Sequence, residues 1–325
     1  MLLPDHQYVT TDSLKECLKL LAERGDKAML VAGGTDVIFN MRLKLFQPDV
    51  AVSIRKLEEL QNVEELADGG LRIGAGARLA DLAEHPAIND RYPAFAEAIR
   101  AVASTHIRNM ATLGGNICLH TRCAYTNNSE EWRKGLNSCF KTEGKICHVI
   151  QTSSRCLAIN NADTPLALII LDAVLTLQSA GGSREVPIAE FYTVDGMDNT
   201  VLRPDELLTH VTIPKVTERT AFLKLAPRQG MDFATVAVAA RCDGSGEKVS
   251  RVSIVVGSIS TNPIILREPA RVVSEQGLGD DAIAAAVESI REELGPLTNL
   301  FSRASYKRQM ANVMVRRVLV ALREA

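Results

Sequence analysis

Apolar residues fall at helical spacing in Leu14, Cys17, Leu18 and Leu21, directly after Asp12-Ser13-Leu14-Lys15-Glu16, which has the form of a capping box. This pattern predicts a helix that Gly25 stops. Ala28 to Ala32 is a short apolar run ending in Gly33-Gly34-Thr35-Asp36, and an amphipathic stretch through Leu43 and a strand at Val50 to Ile54 follow it. The order helix, strand, turn, helix, strand predicts a small parallel unit.

Further on, Leu71 to Gly74 reads as a strand, Leu79 to Ala83 as a short helix, and Tyr92 to Ala103 as a longer helix with Phe95, Ile99 and Val102 on one face. Thr112-Leu113-Gly114-Gly115-Asn116 is a glycine turn, and Thr164 to Leu171 is uniformly apolar. Val174 to Gln178 and Arg184 to Ile188 flank Gly181-Gly182 as the arms of a hairpin. Beyond Pro214 come strand-like runs at Phe222 to Leu225, Thr235 to Ala240 and Val252 to Val256. Two helices follow, one over Asp281 to Leu294 halted by Gly295-Pro296, the other starting near Ser302 and carrying Tyr306, Met310, Val313, Met314, Leu319 and Leu322. The expected fold class is α+β: a small N-terminal α/β unit over about 1–56, a middle α+β region over 57–214, and a C-terminal domain of antiparallel sheet with helices over 215–325.

The pattern lapses between about residues 119 and 158, where Thr, Asn, Ser, Lys and Arg dominate and Cys123, Cys139, Cys147 and Cys156 crowd into 34 residues. Such a stretch cannot form a core of its own and needs a covalent or coordinate tie. A chain of 325 residues has core enough to fold without disulfides, and no charged-then-apolar leader opens it, so a cytoplasmic setting with free or metal-bound thiols is expected. The intervals of 15, 7 and 8 residues contain no C-x₂-C pair, which disfavours common structural zinc sites relative to an iron–sulfur cluster, whose inorganic core supplies the shape. Zinc remains the second choice. Cys17 and Cys242 lie in apolar patterns and read as core residues, while Cys118 is left out of the ligand set. The six histidines show no paired metal-binding spacing.

With 37 basic and 39 acidic residues the formal net charge is −2, which argues against nucleic acid or anionic lipid as a partner. The longest apolar run, Leu166 to Leu171, is far short of the roughly 20 residues of a membrane span.

The strand-to-helix turn Val31-Ala32-Gly33-Gly34-Thr35-Asp36 offers successive N–H groups to an anion such as a pyrophosphate. Asp36 would repel a phosphate and reads as a helix cap or a ribityl contact. Ile73-Gly74-Ala75-Gly76-Ala77 is no dinucleotide fingerprint, because Leu79 stands at the third glycine position. Thr112, Gly115 and Asn116 supply a second phosphate-facing turn, and two such turns favour a nucleotide site.

Taken in order, V-A-G-G-T-D, H-I-R-N-M-A-T-L-G-G-N-I, A-D-T-P-L-A-L-I-I-L-D-A and F-L-K-L-A-P-R make this chain resemble the FAD-binding subunits of molybdenum hydroxylases, the xanthine dehydrogenase family, over nearly its whole length. The resemblance implies a PCMH-type FAD-binding fold. It implies that Met29, Leu30, Val31, Ala32, Gly33, Gly34, Thr35 and Asp36 wrap the FAD pyrophosphate and that Thr112, Gly115 and Asn116 form the second turn. It also places Asp163 and Lys224 near the flavin and ribityl chain, with Val102 and Leu208 as apolar contacts. Where relatives have an aromatic residue at the position aligned with Val102, the smaller side chain leaves part of the isoalloxazine uncovered.

The inserted segment looks most like that of 4-hydroxybenzoyl-CoA reductase β subunits, with aldehyde oxidoreductase FAD subunits and xanthine dehydrogenase-like enzymes as the alternatives. The resemblance then implies one 4Fe-4S cluster on Cys123, Cys139, Cys147 and Cys156, with molybdopterin on a large partner subunit and 2Fe-2S clusters on a small one. It further implies a dimer of heterotrimers, with ferredoxin donating electrons for reductive removal of the phenolic hydroxyl. A zinc-stiffened docking subunit without working FAD is the reading from a different class.

Overall fold

The computed structural model describes residues 2–299 and 302–325. Strand β1 (Gln7–Thr10), half exposed and without apolar alternation, precedes helix α1 (Leu14–Arg24). Ser13 Oγ accepts from the Glu16 N–H at 3.2 Å, and a Glu16 carboxylate oxygen accepts from the Asp12 N–H at 3.0 Å, so the start of α1 is capped from both sides. Gly25, at φ +52°, ends it. Strand β2 (Ala28–Val31), helix α2 (Val37–Arg42) and strand β3 (Val50–Ser53) complete a parallel sheet of order β1-β3-β2. Cys17, Leu18 and Leu21 bury the inner face of α1 against Val50, Val52, Leu57 and Leu60.

The middle region contains β4 (Val63–Glu65), β5 (Leu71–Gly74), α3 (Leu79–Ala83), α4 (Pro86–Arg91), α5 (Pro93–Ala101), α6 (Thr105–Arg108), α7 (Leu113–Ile117), α8 (Glu130–Gly135), α9 (Thr164–Ile170), β6 (Val174–Ser179), β7 (Gly182–Pro187) and β8 (Leu207–Ile213). Its five strands form an antiparallel sheet of order β4-β5-β8-β6-β7. Gly74 and Gly76 press on the backbone of Leu60, whose carbonyl oxygen would lie 2.2 and 2.9 Å from an added Cβ. Close chain packing, not a dinucleotide, is what the Gly-Ala-Gly stretch serves.

Strands β9 (Arg219–Leu225), β10 (Val236–Ser245), β11 (Lys248–Gly257) and β12 (Ile264–Ile265) form an antiparallel sheet of order β12-β11-β10-β9, followed by α10 (Arg267–Gln276), α11 (Asp280–Glu293) and α12 (Ala304–Glu324). Because side chains alternate along a strand, β10 sends Val236, Val238, Ala240 and Cys242 into the core under these helices and Ala237 and Ala239 to the other face. That other face is covered too: Ala237, Ala239, Phe222 and Val255 share a core with Leu166, Phe95 and Ile99. All seven residues of α9 are buried, and an added Cβ at Gly257 would come within 2.7 Å of Leu166. No described helix is long and apolar enough to cross a membrane.

Lys307, on α12, is 1% exposed and its Nζ donates to the Ser258 carbonyl at 3.2 Å. Burial pushes its pKa down from 10.5 to about 8. Between those two values the unfolded chain holds the extra proton, so this side chain makes stability rise with pH; below pH 8 it costs on the order of 3 kcal/mol. Lys307→Met should therefore raise the urea midpoint at pH 7 and flatten the rise above pH 8. An unchanged pH slope in the variant would remove the ammonium as its source.

Candidate functional site

A cavity of about 860 Å³ is lined by the turn after β2, the segment from Val102 to Asn116, the stretch from Met197 to Leu208, and the loop between β9 and β10. Its volume lies in the upper range of cofactor clefts. Gly33 brings the two glycine turns together, since an added Cβ there would sit 1.9 Å from the Met110 carbonyl oxygen. Gly114 also packs tightly on Ala75, whose Cβ would lie 2.8 Å from an added Cβ. Met29, Leu30, Ala32, Gly33, Gly34, Thr35, Asp36, Val102, Thr112, Gly115, Asn116, Asp163 and Leu208 all face this cavity. Val31 and Lys224 do not line it: Val31 is buried beneath the turn, and Lys224 stands behind Asp163.

Around Gly34, at φ +72°, the backbone N–H groups of Gly33, Gly34 and Thr35 have no acceptor among the described residues. These unspent donors point to an anionic group. Asp36 stands at the N-cap of α2, yet its side chain makes no capping bond, which corrects the helix-cap expectation. Its oxygens are taken by Arg122 Nη2 and by Asn40 Nδ2 at 2.9 Å. The repulsion that Asp36 would exert on a phosphate is offset by that guanidinium.

At the second turn Thr112 Oγ1 caps α7 by accepting from the Gly115 N–H at 3.1 Å. Asn116 Oδ1 accepts from the hydroxyl and the N–H of Thr164 at 2.7 and 3.3 Å, which fixes α7 to the start of α9 and leaves the Asn116 amide nitrogen as the free donor. Next along the chain from Thr164 is Asp163, whose Oδ2 accepts from Lys224 Nζ at 2.7 Å. Its Oδ1 is buried with no partner. Burial pushes the Asp163 pKa up to about 6 against the pull of Lys224, so the group is a carboxylate at neutral pH with one oxygen still able to accept.

Lys224 also donates to the Ala101 carbonyl at 2.8 Å. Removing it strands a buried carboxylate, so Lys224→Met should destabilise the protein by about 3 kcal/mol at pH 8. Without the ammonium the Asp163 pKa climbs further, and an acid raised in the folded state stabilises most below its unfolded value and loses that contribution as pH rises. The deficit should shrink toward pH 5 in urea unfolding; an equal loss at both pH values would mean that only packing was removed.

Sequence patterns did not single out Phe39, Arg122, Met231 or Phe233, all of which line the cavity. The Arg122 guanidinium lies 5.2 Å from the Phe39 ring centre and 5.4 Å from that of Phe233. His120, also at the wall, packs tilted against Phe46 with ring centres 4.5 Å apart. Burial, with Lys141 next, lowers its pKa to about 4 and keeps it neutral. Cys118 lines this cavity and not the thiol site, and burial pushes its pKa up to about 12.

A second, small cavity of about 20 Å³ is lined by Cys123, Cys139, Cys147 and Cys156, so the structure gathers the four cysteines that the sequence spaces irregularly. All are free thiols. Burial raises the pKa of Cys123 and takes that of Cys156 to about 11, and backbone hydrogen bonds from Tyr125 and Thr126 to Cys123 and from Ala158 to Cys156 oppose it. Among the described residues no group of three or more His, Cys, Asp or Glu side chains is arranged to hold a metal ion.

Residues 4–216 match the family described as the FAD binding domain in molybdopterin dehydrogenase, and residues 221–322 match the CO dehydrogenase flavoprotein C-terminal domain. The chain is 31% identical over 309 residues to the aldehyde oxidoreductase FAD-binding subunit of Escherichia coli, covering 91% of this chain and 93% of that one. It is 28% identical over 320 residues to the 6-hydroxypseudooxynicotine dehydrogenase complex subunit alpha of Paenarthrobacter nicotinovorans, covering 97% and 94%. A solved structure of carbon monoxide dehydrogenase from Hydrogenophaga pseudoflava superimposes with a TM-score of 0.82 at 26% identity, over 99% of this chain and 98% of that one.

Proposed function

Because this chain belongs to the FAD-binding family of the molybdopterin dehydrogenases, oxidoreductase components with this mixed α+β fold, we propose that its large cavity holds FAD and its four thiols hold one 4Fe-4S cluster. The observation that carries the FAD site is a single cavity where the free N–H groups of Gly33, Gly34 and Thr35 meet the unpartnered Asp163 Oδ1. The first suit a pyrophosphate and the second accepts from a hydroxyl of the ribityl or ribose chain. Asn116 donates from its amide, Lys224 keeps Asp163 ionised from behind, and Val102 and Leu208 supply apolar wall. Flavin, when bound, takes up and releases one or two electrons.

What supports a cluster there is that four cysteines line one void and that two of them accept backbone hydrogen bonds. The chain would then be an electron-transfer subunit in the cytoplasm, assembled with a large molybdopterin subunit that transforms the substrate and a small 2Fe-2S subunit, as a dimer of heterotrimers. The likeness to the Escherichia coli subunit favours an aldehyde as that substrate. Reduction of 4-hydroxybenzoyl-CoA with electrons from ferredoxin is the second reading, and the cysteine-rich segment alone supports it.

The test is anaerobic purification of the intact complex, with flavin, iron and sulfide analysis of this subunit and assay with an aromatic aldehyde and with 4-hydroxybenzoyl-CoA. Bound flavin with about four irons per chain is expected. A colourless subunit, or one holding zinc alone, overturns the reading.

A further inference from the structure

The cysteine-rich segment grips helix α2 at both ends. At its start Arg122 donates to Asp36, sits between the rings of Phe39 and Phe233, and keeps its Nε buried without a partner. At the other end Arg133 Nη2 donates to the Leu43 carbonyl at 2.8 Å, and Lys44 Nζ meets Glu130 at 2.8 Å. Arg122 is also the neighbour of Cys123. Its N–H donates to the Ile159 carbonyl at 3.0 Å and its carbonyl accepts from the Ile159 N–H at 3.1 Å. This backbone bridge closes the neck of the segment just outside Cys123 and Cys156, so the residue that holds the neck also holds the carboxylate next to the Gly33-Gly34-Thr35 donors.

We propose that Arg122 is a positioning residue through which filling of the thiol site tightens FAD binding at the glycine turn. The inference rests on the preceding assignment of the two sites and adds a coupling between them. With the thiols bridged by an inorganic core, Cys123 and Cys156 are fixed relative to one another, and with them the Arg122–Ile159 neck, the guanidinium and Asp36. With the thiols empty, the segment has little apolar core to hold that arrangement. Linkage makes the effect mutual: bound FAD must stabilise the filled thiol site by the same factor.

The experiment uses the whole complex, from which FAD is removed and titrated back by flavin fluorescence, once with the cluster present and once after oxidative removal with a chelator. Wild type is compared with Arg122→Met and Arg122→Lys. Loss of the cluster should raise the wild-type Kd for FAD about tenfold. Arg122→Met should bind FAD weakly and equally in both states, and Arg122→Lys, which keeps charge for Asp36 but not the planar face for two rings, should show an intermediate ratio. Equal wild-type affinities with and without the cluster overturn the proposal, as does a full ratio surviving in Arg122→Met. Should Arg122→Met fail to fold, Asp36→Asn removes the other half of the contact and must abolish the ratio. Wild type that takes up no FAD, or no cluster at all, fails the site assignment itself and takes the coupling down with it.

Discussion

Cys139→Ala should strip this subunit of iron and sulfide while flavin absorption survives at saturating FAD. The four thiols line one small void, so on the proposed function each would be one of four anchors for the cluster, with His148 the other potential ligand at that void. Cys118 cannot step in, because it faces the other cavity and burial holds its thiol protonated. Metal content should fall well below about four irons per chain, since removing one thiolate leaves an iron of the core without its protein ligand and open to loss and oxidation. The glycine turns and Asp163 are untouched by the change, so FAD still binds, though more weakly if Arg122 relays the state of the thiols. Iron retained at full content after removal of Cys139 would eliminate it as a ligand. Loss of flavin even at saturation would show that the segment serves the fold of the FAD cavity itself.

Gly33→Ala should lower FAD affinity about 100-fold and reduce stability by about 3 kcal/mol, near the upper end for overpacking. The added methyl would meet the Met110 carbonyl oxygen at 1.9 Å and its carbon at 2.5 Å, which are backbone atoms with no rotamer to escape into. The turn must back away from the 110–112 segment, which separates the two sets of donors that a pyrophosphate would bridge. Gly135→Ala is the control, because nothing lies within 4 Å of a Cβ there. It should leave FAD titration and thermal unfolding unchanged. Were Gly33→Ala to behave like Gly135→Ala in both assays, close contact between the turns would not be what shapes the cavity.

Features held in a few consecutive residues were legible before any coordinates. The capping box of α1, the two glycine turns and the hairpin of β6 and β7 each rest on local backbone chemistry, and they lie where the pattern placed them. Strand β8 escaped notice because its place between β5 and β6 depends on partners far away in sequence. Helix α10 was hidden by Pro269, which reads as a breaker although it falls within the first turn, where its missing N–H costs nothing. The run at α9 could not be assigned, since seven buried positions, six of them apolar, carry no period to separate helix from strand.

The candidate site divides in the same way. The glycine turns and the cysteine cluster are contiguous motifs and were visible. Arg122, Phe39 and Phe233 come from three separate parts of the chain, and only folding makes them one contact. Lys224 illustrates the limit from the other side, because its residue type suits direct contact with a cofactor while its place is behind the carboxylate it charges.

The burial of α9 between the C-terminal sheet and helix α5 restricts how such a subunit can diversify. Ala237, Ala239 and Phe222 complete the same interior as Leu166 and Phe95, so residues on both sides of position 214 are matched to one another in volume. A recombination event that joined the first part of this polypeptide to the last part of a distant cousin would leave that interior misfitted. New specificity is thus easier to gain by lengthening surface segments, as between residues 119 and 158, than by exchanging halves.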